Sequence, residues 1–172
     1  MYAPEIRIGL ERMNSKTKNK NEKFLTYNTK LDICDAVFYL ASRKIGALIT
    51  IENHTSLDQF ANKAVELNSR VSKELLINIF TPLTPLHDGA VIIRNDKIRC
   101  AAAYFVLSDN ANHDKTMGSR HRAGLGISEI SDSLTIIVSE QTGNISVATE
   151  GVLMKVPTKE KLLEFMSVCL ED

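Results

Sequence analysis

The sequence predicts an α/β domain in which helices flank a mixed central β-sheet. Short apolar runs bounded by turn residues are typical of buried strands, and longer segments with apolar residues at helical spacing are typical of helices. Both kinds of segment occur along the 172 residues, and they are interleaved rather than grouped. The predicted strands outnumber the helices, which favours a layered structure with a mixed sheet. The length and the hydrophobic content of 44% indicate one domain with a good core.

The first predicted helix and strand follow a polar segment. Thr29 begins a capping-box pattern, and apolar residues then recur at helical spacing, which predicts a helix over about 30–44. The apolar run 45–51 is too short for another helix and predicts a buried strand. We expect residues 1–28 to form a short N-terminal helix and a polar linker, and residues 29–172 to form the globular domain.

Two further helices are predicted before the middle of the chain. Ser56 starts a short helix, and Ser72 starts another, because apolar residues follow it at helical spacing. Proline lacks the N–H that a helix interior needs, so Pro82 and Pro85 end the second of these helices.

The second half of the chain is predicted to contain five strands and two helices. Five apolar runs bounded by turn residues predict strands over 90–94, 97–107, 134–139, 145–149 and 152–156. Asn95 and Asp96 tolerate the positive φ of a tight turn, so the first two of these strands should form a hairpin. Residues 121–131 have a helical pattern, and Thr158 begins a last helix that ends near Leu170.

Bulk composition restricts the function classes. The 21 basic and 21 acidic residues cancel, which argues against a nucleic-acid partner, so any anion site must be local. Cys34, Cys100 and Cys169 are odd in number and lack C-x-x-C spacing, so we expect free thiols in a reducing cytoplasm. No apolar run approaches the ~18 residues of a membrane span, and no signal peptide opens the chain, so the sequence as written is expected to be cytoplasmic.

An acidic turn is the first candidate site. Asp88 follows two prolines and precedes Gly89, so the backbone turns sharply and can approach a ligand without an intervening Cβ. An ordinary turn aspartate is the alternative. His87 could offer an imidazole to a divalent metal, or it could be hydrogen-bonded within its own loop.

A compact basic turn is the second candidate site. Arg120 and Arg122 flank His121 just before a predicted helix, so two guanidiniums and the N–H groups of the helix start could converge on one anion. Ser119 would add a hydroxyl group to the same site. A solvated basic turn is the alternative.

Three further residues could line a pocket between these turns. Glu140 follows a predicted strand next to a glycine turn, where it either points into a site at the sheet edge or is a surface carboxylate. Tyr104 has small neighbours that leave room for a flat ring, although core packing is the default for a strand aromatic. Leu48 could form an apolar wall or belong to the core.

Together the two turns resemble the signatures of a known family. Asp88-Gly89-Ala90 and Arg120-His121-Arg122 resemble the D-G-A and R-H-R motifs of the diadenylate cyclase domain, and the similarity runs from about Leu31 to Met166. That family condenses two ATP molecules into cyclic di-AMP. The resemblance implies a central mixed sheet of roughly seven strands flanked by helices, with ligands at one edge.

The resemblance also implies a role for each candidate residue. Asp88 would hold the ribose 3′ hydroxyl and its metal, Gly89 and Ala90 would shape the ribose pocket, and Tyr104 would stack near adenine beside Leu48. Catalysis would further use the arginine clamp, that is Arg120 and Arg122 with His121 between them, and Ser119 would contact the same phosphates.

A divalent metal is the expected cofactor, with His87, Asp88 and Glu140 as its ligands. The resemblance favours Mn²⁺, with Mg²⁺ or Co²⁺ as alternatives. The sequence departs from the family at Ser119, where threonine is common, and at Gln141, where many relatives carry a second acid.

The expected function is therefore a diadenylate cyclase that acts as a face-to-face homodimer on two ATP molecules. The segment 2–7 resembles the part of membrane-linked relatives that follows their transmembrane helices, which implies a tether to the cytoplasmic face of the membrane. Regulatory protein partners stay open. A nucleotide-binding regulatory module without catalysis is the main alternative, and hydrolysis by Ser119 with His121 is disfavoured because no acid orients the histidine.

Overall fold

The computed structural model describes residues 25–110 and 117–170. Within them the helices are α1 (Tyr27–Ser42), α2 (Asp58–Ala61), α3 (Lys73–Phe80), α4 (Ser119–Ile130) and α5 (Lys159–Leu170). The strands are β1 (Ala47–Ile51), β2 (Val65–Arg70), β3 (Ala90–Arg94), β4 (Lys97–Ala103), β5 (Leu134–Val138), β6 (Ile145–Thr149) and β7 (Val152–Lys155). No helix in these ranges is long and apolar enough to span a bilayer.

The seven strands form one mixed sheet in the order β2-β4-β3-β1-β5-β6-β7. Strand β1 lies at its centre, parallel to β3 and antiparallel to β5, and all five of its residues are buried. The hydroxyls of Thr50 and Thr135 lie 2.9 Å apart across the β1–β5 pair, so each of these buried polar groups has a partner. The expected fold class is confirmed.

Helices cover both faces of the sheet. Residues of α1, α3 and α5 pack on one face and form the larger core, whereas α2 and α4 pack on the other face and form a smaller core. Successive residues of a strand point to opposite faces. Ile49 therefore belongs to the larger core, and its neighbour Leu48 belongs to the smaller one.

Strand β2 was not predicted from the apolar pattern, which gave six strands. Four of its six residues are exposed, as expected of a strand at the edge of a sheet. Asn68 has a positive φ of 49°, and the pairing with β4 shifts register between Glu66 and Ser69. A polar, irregular edge strand has no continuous apolar run by which to recognise it.

Strand β4 ends at Ala103, so the prediction of a strand to residue 107 is wrong. The chain leaves the sheet there. Tyr104 and Val106 are exposed, while Phe105 is buried. Its ring packs edge-on against that of Phe60, with the two ring centroids 5.2 Å apart. The apolar run continues to residue 107, beyond the point at which the ladder stops.

Two helices begin earlier than predicted. Thr26 caps α1, because its hydroxyl accepts a hydrogen bond from the N–H of Thr29, so Thr29 lies inside the helix. Helix α4 begins at Ser119 rather than at 121. This places the whole basic triplet on the helix.

The N-terminal segment is predicted to form a short helix and a linker. Residues 1–24 lie outside the described part, so the N-terminal helix and linker stay predictions; Leu25 is already buried in the larger core.

Cys34, Cys100 and Cys169 are free, as expected. Burial raises the pKa of Cys34 to about 12, which makes this thiol unreactive.

We expect Gly126→Ala to destabilise the fold. A Cβ at this position of α4 would overlap the carbonyl oxygen of Val106 and lie 3.1 Å from the N of Ser108, and backbone cannot move aside as a flexible side chain can. The expected loss in the free energy of unfolding is about 1–3 kcal/mol, measured by urea denaturation. Gly118→Ala is the matched control, because the nearest atom to its new Cβ is 3.9 Å away. Equal stability of the two variants would contradict this packing.

Candidate functional site

The candidate residues lie together at one end of the central strands. The start of β1 pairs with the end of β5 (Ala47 with Val138), and the start of β3 pairs with the end of β4 (Ala90 with Ala103). Since β1 and β3 are parallel, these four strand termini lie on the same side of the sheet, where the strands begin or end. A cleft of about 510 Å³ opens there, within the range of small-molecule sites. Its walls include Leu48, His87, Asp88, Gly89, Tyr104 and Arg120.

The acidic turn is fixed by Gly89. Its φ is +85°, in the left-handed region that favours glycine, and a Cβ on it would lie 2.8 Å from the carbonyl oxygen of Ala103. The turn therefore packs directly on the end of β4. Asp88 is left with 69% of its side chain exposed at the cleft, whereas Ala90 is fully buried behind it.

His87 presents one ring nitrogen to Asp88. Its Nδ1 lies 2.6 Å from the carbonyl oxygen of Thr84, which can only accept, so Nδ1 carries a proton and Nε2 is the ring nitrogen with a lone pair in the uncharged form. That Nε2 lies 3.4 Å from Asp88 Oδ1. A ring held by a carbonyl in this way is the usual arrangement of a metal-binding histidine. These two donors suit a divalent metal that prefers imidazole and carboxylate ligands.

Glu140 is held elsewhere. Its Oε2 lies 3.1 Å from Arg120 Nη1, and both residues line the same cleft. Within residues 25–110 and 117–170, no three His, Cys, Asp or Glu side chains are close enough together to hold a metal. The structure thus brings His87 and Asp88 together and leaves Glu140 on the arginine.

The two arginines of the basic triplet diverge. Arg120 lines the cleft, whereas Arg122 directs its Nε and Nη2 to the carbonyl oxygen of Ser108, at 3.4 and 3.3 Å. Residues two apart on a helix do not face each other, and both arginines lie within α4. In this single chain the two guanidiniums therefore do not meet at one anion.

A second cavity of about 350 Å³ adjoins the cleft. Both cavities are lined by Ser119, Arg120 and Glu140, and only the second one includes His121. Burial lowers the pKa of His121, and the positive charge of Arg120 lowers it further. The imidazole is therefore neutral at neutral pH.

Tyr104 and Leu48 form the apolar side of the cleft. Tyr104 is 68% exposed, which excludes the alternative of core packing. Leu48 is 2% exposed, and it lies in the smaller core as well as in the cleft wall. An exposed tyrosine and a buried leucine that line one cleft offer apolar surface to a planar ring.

Gly46 also lines the cleft, and the sequence analysis missed it. The apolar pattern places it within the first predicted strand, 45–51. Its neighbour in space, Arg120, is 74 residues away in sequence, and no local pattern signals such a contact.

Comparisons with known proteins identify the family of the chain. Residues 34–153 match the DAC family model, described as DisA bacterial checkpoint controller nucleotide-binding. The cyclic di-AMP synthase CdaA of Bacillus subtilis (strain 168) is 45% identical over 175 residues, covering 96% of this chain and 62% of the relative. A diadenylate cyclase of Listeria monocytogenes (serotype 1/2a, strain 10403S) is 42% identical over 171 residues, covering 94% and 61%. The chain thus spans about three fifths of the length of these relatives.

Solved structures give the same assignment. The crystal structure of a double mutant of DacA from Staphylococcus aureus matches with a TM-score of 0.82 and 43% sequence identity, over 84% of this chain and 97% of that one. The family model covers well over half of the residues, and it includes both signature turns. The chain therefore belongs to the DAC family, the family of diadenylate cyclase domains that its two turns resemble.

Proposed function

We propose that this chain is a diadenylate cyclase, which joins two ATP molecules into cyclic di-AMP and releases two pyrophosphates. One observation carries the proposal: a single cleft holds an exposed carboxylate, a guanidinium and an apolar wall with an exposed tyrosine. These groups match the ribose, the phosphates and the base of a nucleotide. The names of the similar proteins in Bacillus and Listeria support the same activity.

In this proposal Asp88 prepares the nucleophile. Its exposed carboxylate would accept a hydrogen bond from the ribose 3′ hydroxyl and take its proton as the oxygen attacks. Gly89 lets the main chain approach the ribose closely, and the buried Ala90 forms the floor behind it.

Arg120 would bind the triphosphate and stabilise the charge that grows on the departing pyrophosphate. Ser119 lies at the first turn of α4, where its hydroxyl and the free N–H groups of the helix start favour an anion. His121, neutral and half-buried beside them, could donate a hydrogen bond to the same phosphates. Arg122 would contribute indirectly, because it holds the carbonyl of Ser108 in the segment that follows Tyr104.

The cofactor in this proposal is a divalent metal, Mn²⁺ in preference to Mg²⁺ or Co²⁺. His87 Nε2 and Asp88 Oδ1 would hold it, and Glu140 could join them only by leaving Arg120. When bound, such an ion lowers the pKa of a coordinated hydroxyl and neutralises phosphate charge.

The reaction needs two copies of the site. Each 3′ oxygen bonds to the α-phosphorus of the other ATP while the bond from that phosphorus to its pyrophosphate breaks, so two clefts must face each other. We propose a homodimer that joins the clefts mouth to mouth. We further propose, from the resemblance of segment 2–7, that the native protein is held at the cytoplasmic face of the cell membrane.

The test of the function is to incubate the protein with ATP and Mn²⁺ and to identify the products by chromatography and mass spectrometry. Cyclic di-AMP supports the proposal. Bound but unchanged ATP would instead indicate a nucleotide-binding regulatory module, and free AMP or ADP would indicate a hydrolase.

Asp88→Asn is expected to reduce turnover by about 100-fold or more while ATP affinity stays within several-fold. The amide can still accept a hydrogen bond, but it cannot take the proton. Initial rates of cyclic di-AMP formation and equilibrium ATP binding measure the two effects. Turnover within tenfold of the parent would refute the role of Asp88.

Arg120→Ala and Arg122→Ala are expected to differ. Loss of Arg120 removes a charge at the phosphates and should lower kcat/KM by about 100-fold or more. Loss of Arg122 removes contacts to Ser108 and should have a smaller effect on kcat/KM, accompanied by a lower melting temperature. Equal losses of kcat/KM without any change in stability would place both guanidiniums on the substrate.

Activity per subunit should rise with protein concentration until the dimer is saturated, because a single cleft cannot complete the ring. Light scattering in parallel with rate measurements over a dilution series tests this. Constant specific activity from a protein that remains monomeric would exclude the face-to-face mechanism.

A further inference from the structure

Arg120 occupies space that only a glycine at position 46 can leave. A Cβ on Gly46 would lie 2.6 Å from Arg120 Nη1, 2.7 Å from Cζ and 3.1 Å from Nε. Gly46 is buried and directly precedes β1. The guanidinium therefore packs against the main chain just before the central strand β1.

Glu140 binds the same guanidinium, through the 3.1 Å contact between its Oε2 and Nη1. Only 20% of the Arg120 side chain is exposed, compared with 63% for Glu140. A mostly buried arginine that contacts both a backbone surface and a carboxylate has little freedom to rotate. It also forms part of the wall that separates the cleft from the second cavity.

One donor of this arginine is unused. Arg120 Nε is buried and has no hydrogen-bond acceptor in the described part of the chain. Nearly all buried N–H groups in proteins have a partner, so an unpaired one on a residue that lines a cleft calls for an explanation. An oxygen of a bound phosphate is an acceptor of the right charge.

We propose that Gly46 and Glu140 are positioning residues for Arg120, which hold its guanidinium ready to donate to the phosphates of the nucleotide. Gly46 acts by lacking a side chain, and Glu140 acts by binding Nη1. Neither residue needs to touch the phosphates. This inference rests on the proposed function, because it takes a nucleoside triphosphate as the ligand of Arg120.

Gly46→Ala gives a clean test, because the atoms that its methyl group would meet belong to the end of a flexible side chain rather than to backbone. The φ of Gly46 is not positive, so alanine is not strained there. The fold can accommodate the methyl group by moving Arg120. We therefore expect an unchanged melting temperature together with weaker phosphate binding.

The experiment measures binding of 3′-deoxy-ATP, which cannot cyclise, by calorimetry with Mn²⁺ present. The parent is compared with Gly46→Ala, Arg120→Ala and the double variant. Gly46→Ala should weaken binding of 3′-deoxy-ATP about tenfold or more. When Arg120 is already alanine, the same change should cause little further loss of affinity. Binding of 3′-deoxyadenosine, which has no phosphates, should be unaffected in all variants. Independent, additive losses in the double variant would overturn the role of Gly46.

Two changes at Glu140 separate positioning from metal binding. Glu140→Gln keeps an oxygen for Nη1 and should leave binding within about threefold, whereas Glu140→Ala should weaken it as much as Gly46→Ala does. Equal losses in both variants, restored by more Mn²⁺, would make Glu140 a metal ligand and overturn its positioning role. If the parent binds 3′-deoxy-ATP but makes no cyclic di-AMP from ATP, the proposed function fails and the binding comparison still decides the inference.

Discussion

The pairing of β1 with both of its neighbours is the constraint on which the site depends. The strand is parallel to β3 and antiparallel to β5, so its start lies beside the start of one and the end of the other. Shifting either pairing by one residue would turn every side chain of that strand to the opposite face. Such a shift would also move the acidic turn before β3 relative to Glu140, which follows β5. A fully buried strand between two ladders keeps these distant segments in place.

Close backbone packing supplies the second level of organisation. Gly89 lets the acidic turn touch β4, Gly124 lets α4 approach Ile137 of β5, and Gly126 lets the 105–108 segment lie on the helix. At each of these positions a Cβ would come within about 3 Å of a neighbouring atom, where real side chains do not fit. Main-chain surfaces therefore meet directly at Gly89 and Gly126, and at Gly124 the main chain of α4 meets side chains of β5. The polar side chains of the cleft are placed on that frame.

The sequence predicted those parts of the fold and site that are encoded locally. The Asp88–Gly89 turn was predictable because a glycine after two prolines marks a sharp turn, and six strands were predictable from their apolar runs. Strand β2 was not, because its pairing with β4 rather than its composition makes it a strand. The divergence of Arg120 and Arg122 depends on where α4 begins, which sequence patterns locate only to within a few residues. The contact of Gly46 with Arg120 depends on the tertiary fold alone.

The irregular edge strand has a consequence for how copies of this protein meet. An open edge offers unpaired N–H and C=O groups to the strands of other molecules, and long flat edges lead to aggregation. In β2 the break in register near Asn68 interrupts this row of N–H and C=O groups with a kink. The exposed Glu66 and Arg70 add charges to the same strand. Addition of a foreign strand beside β2 is thus disfavoured, so the same features that concealed this strand from sequence analysis protect the sheet from uncontrolled growth at this edge.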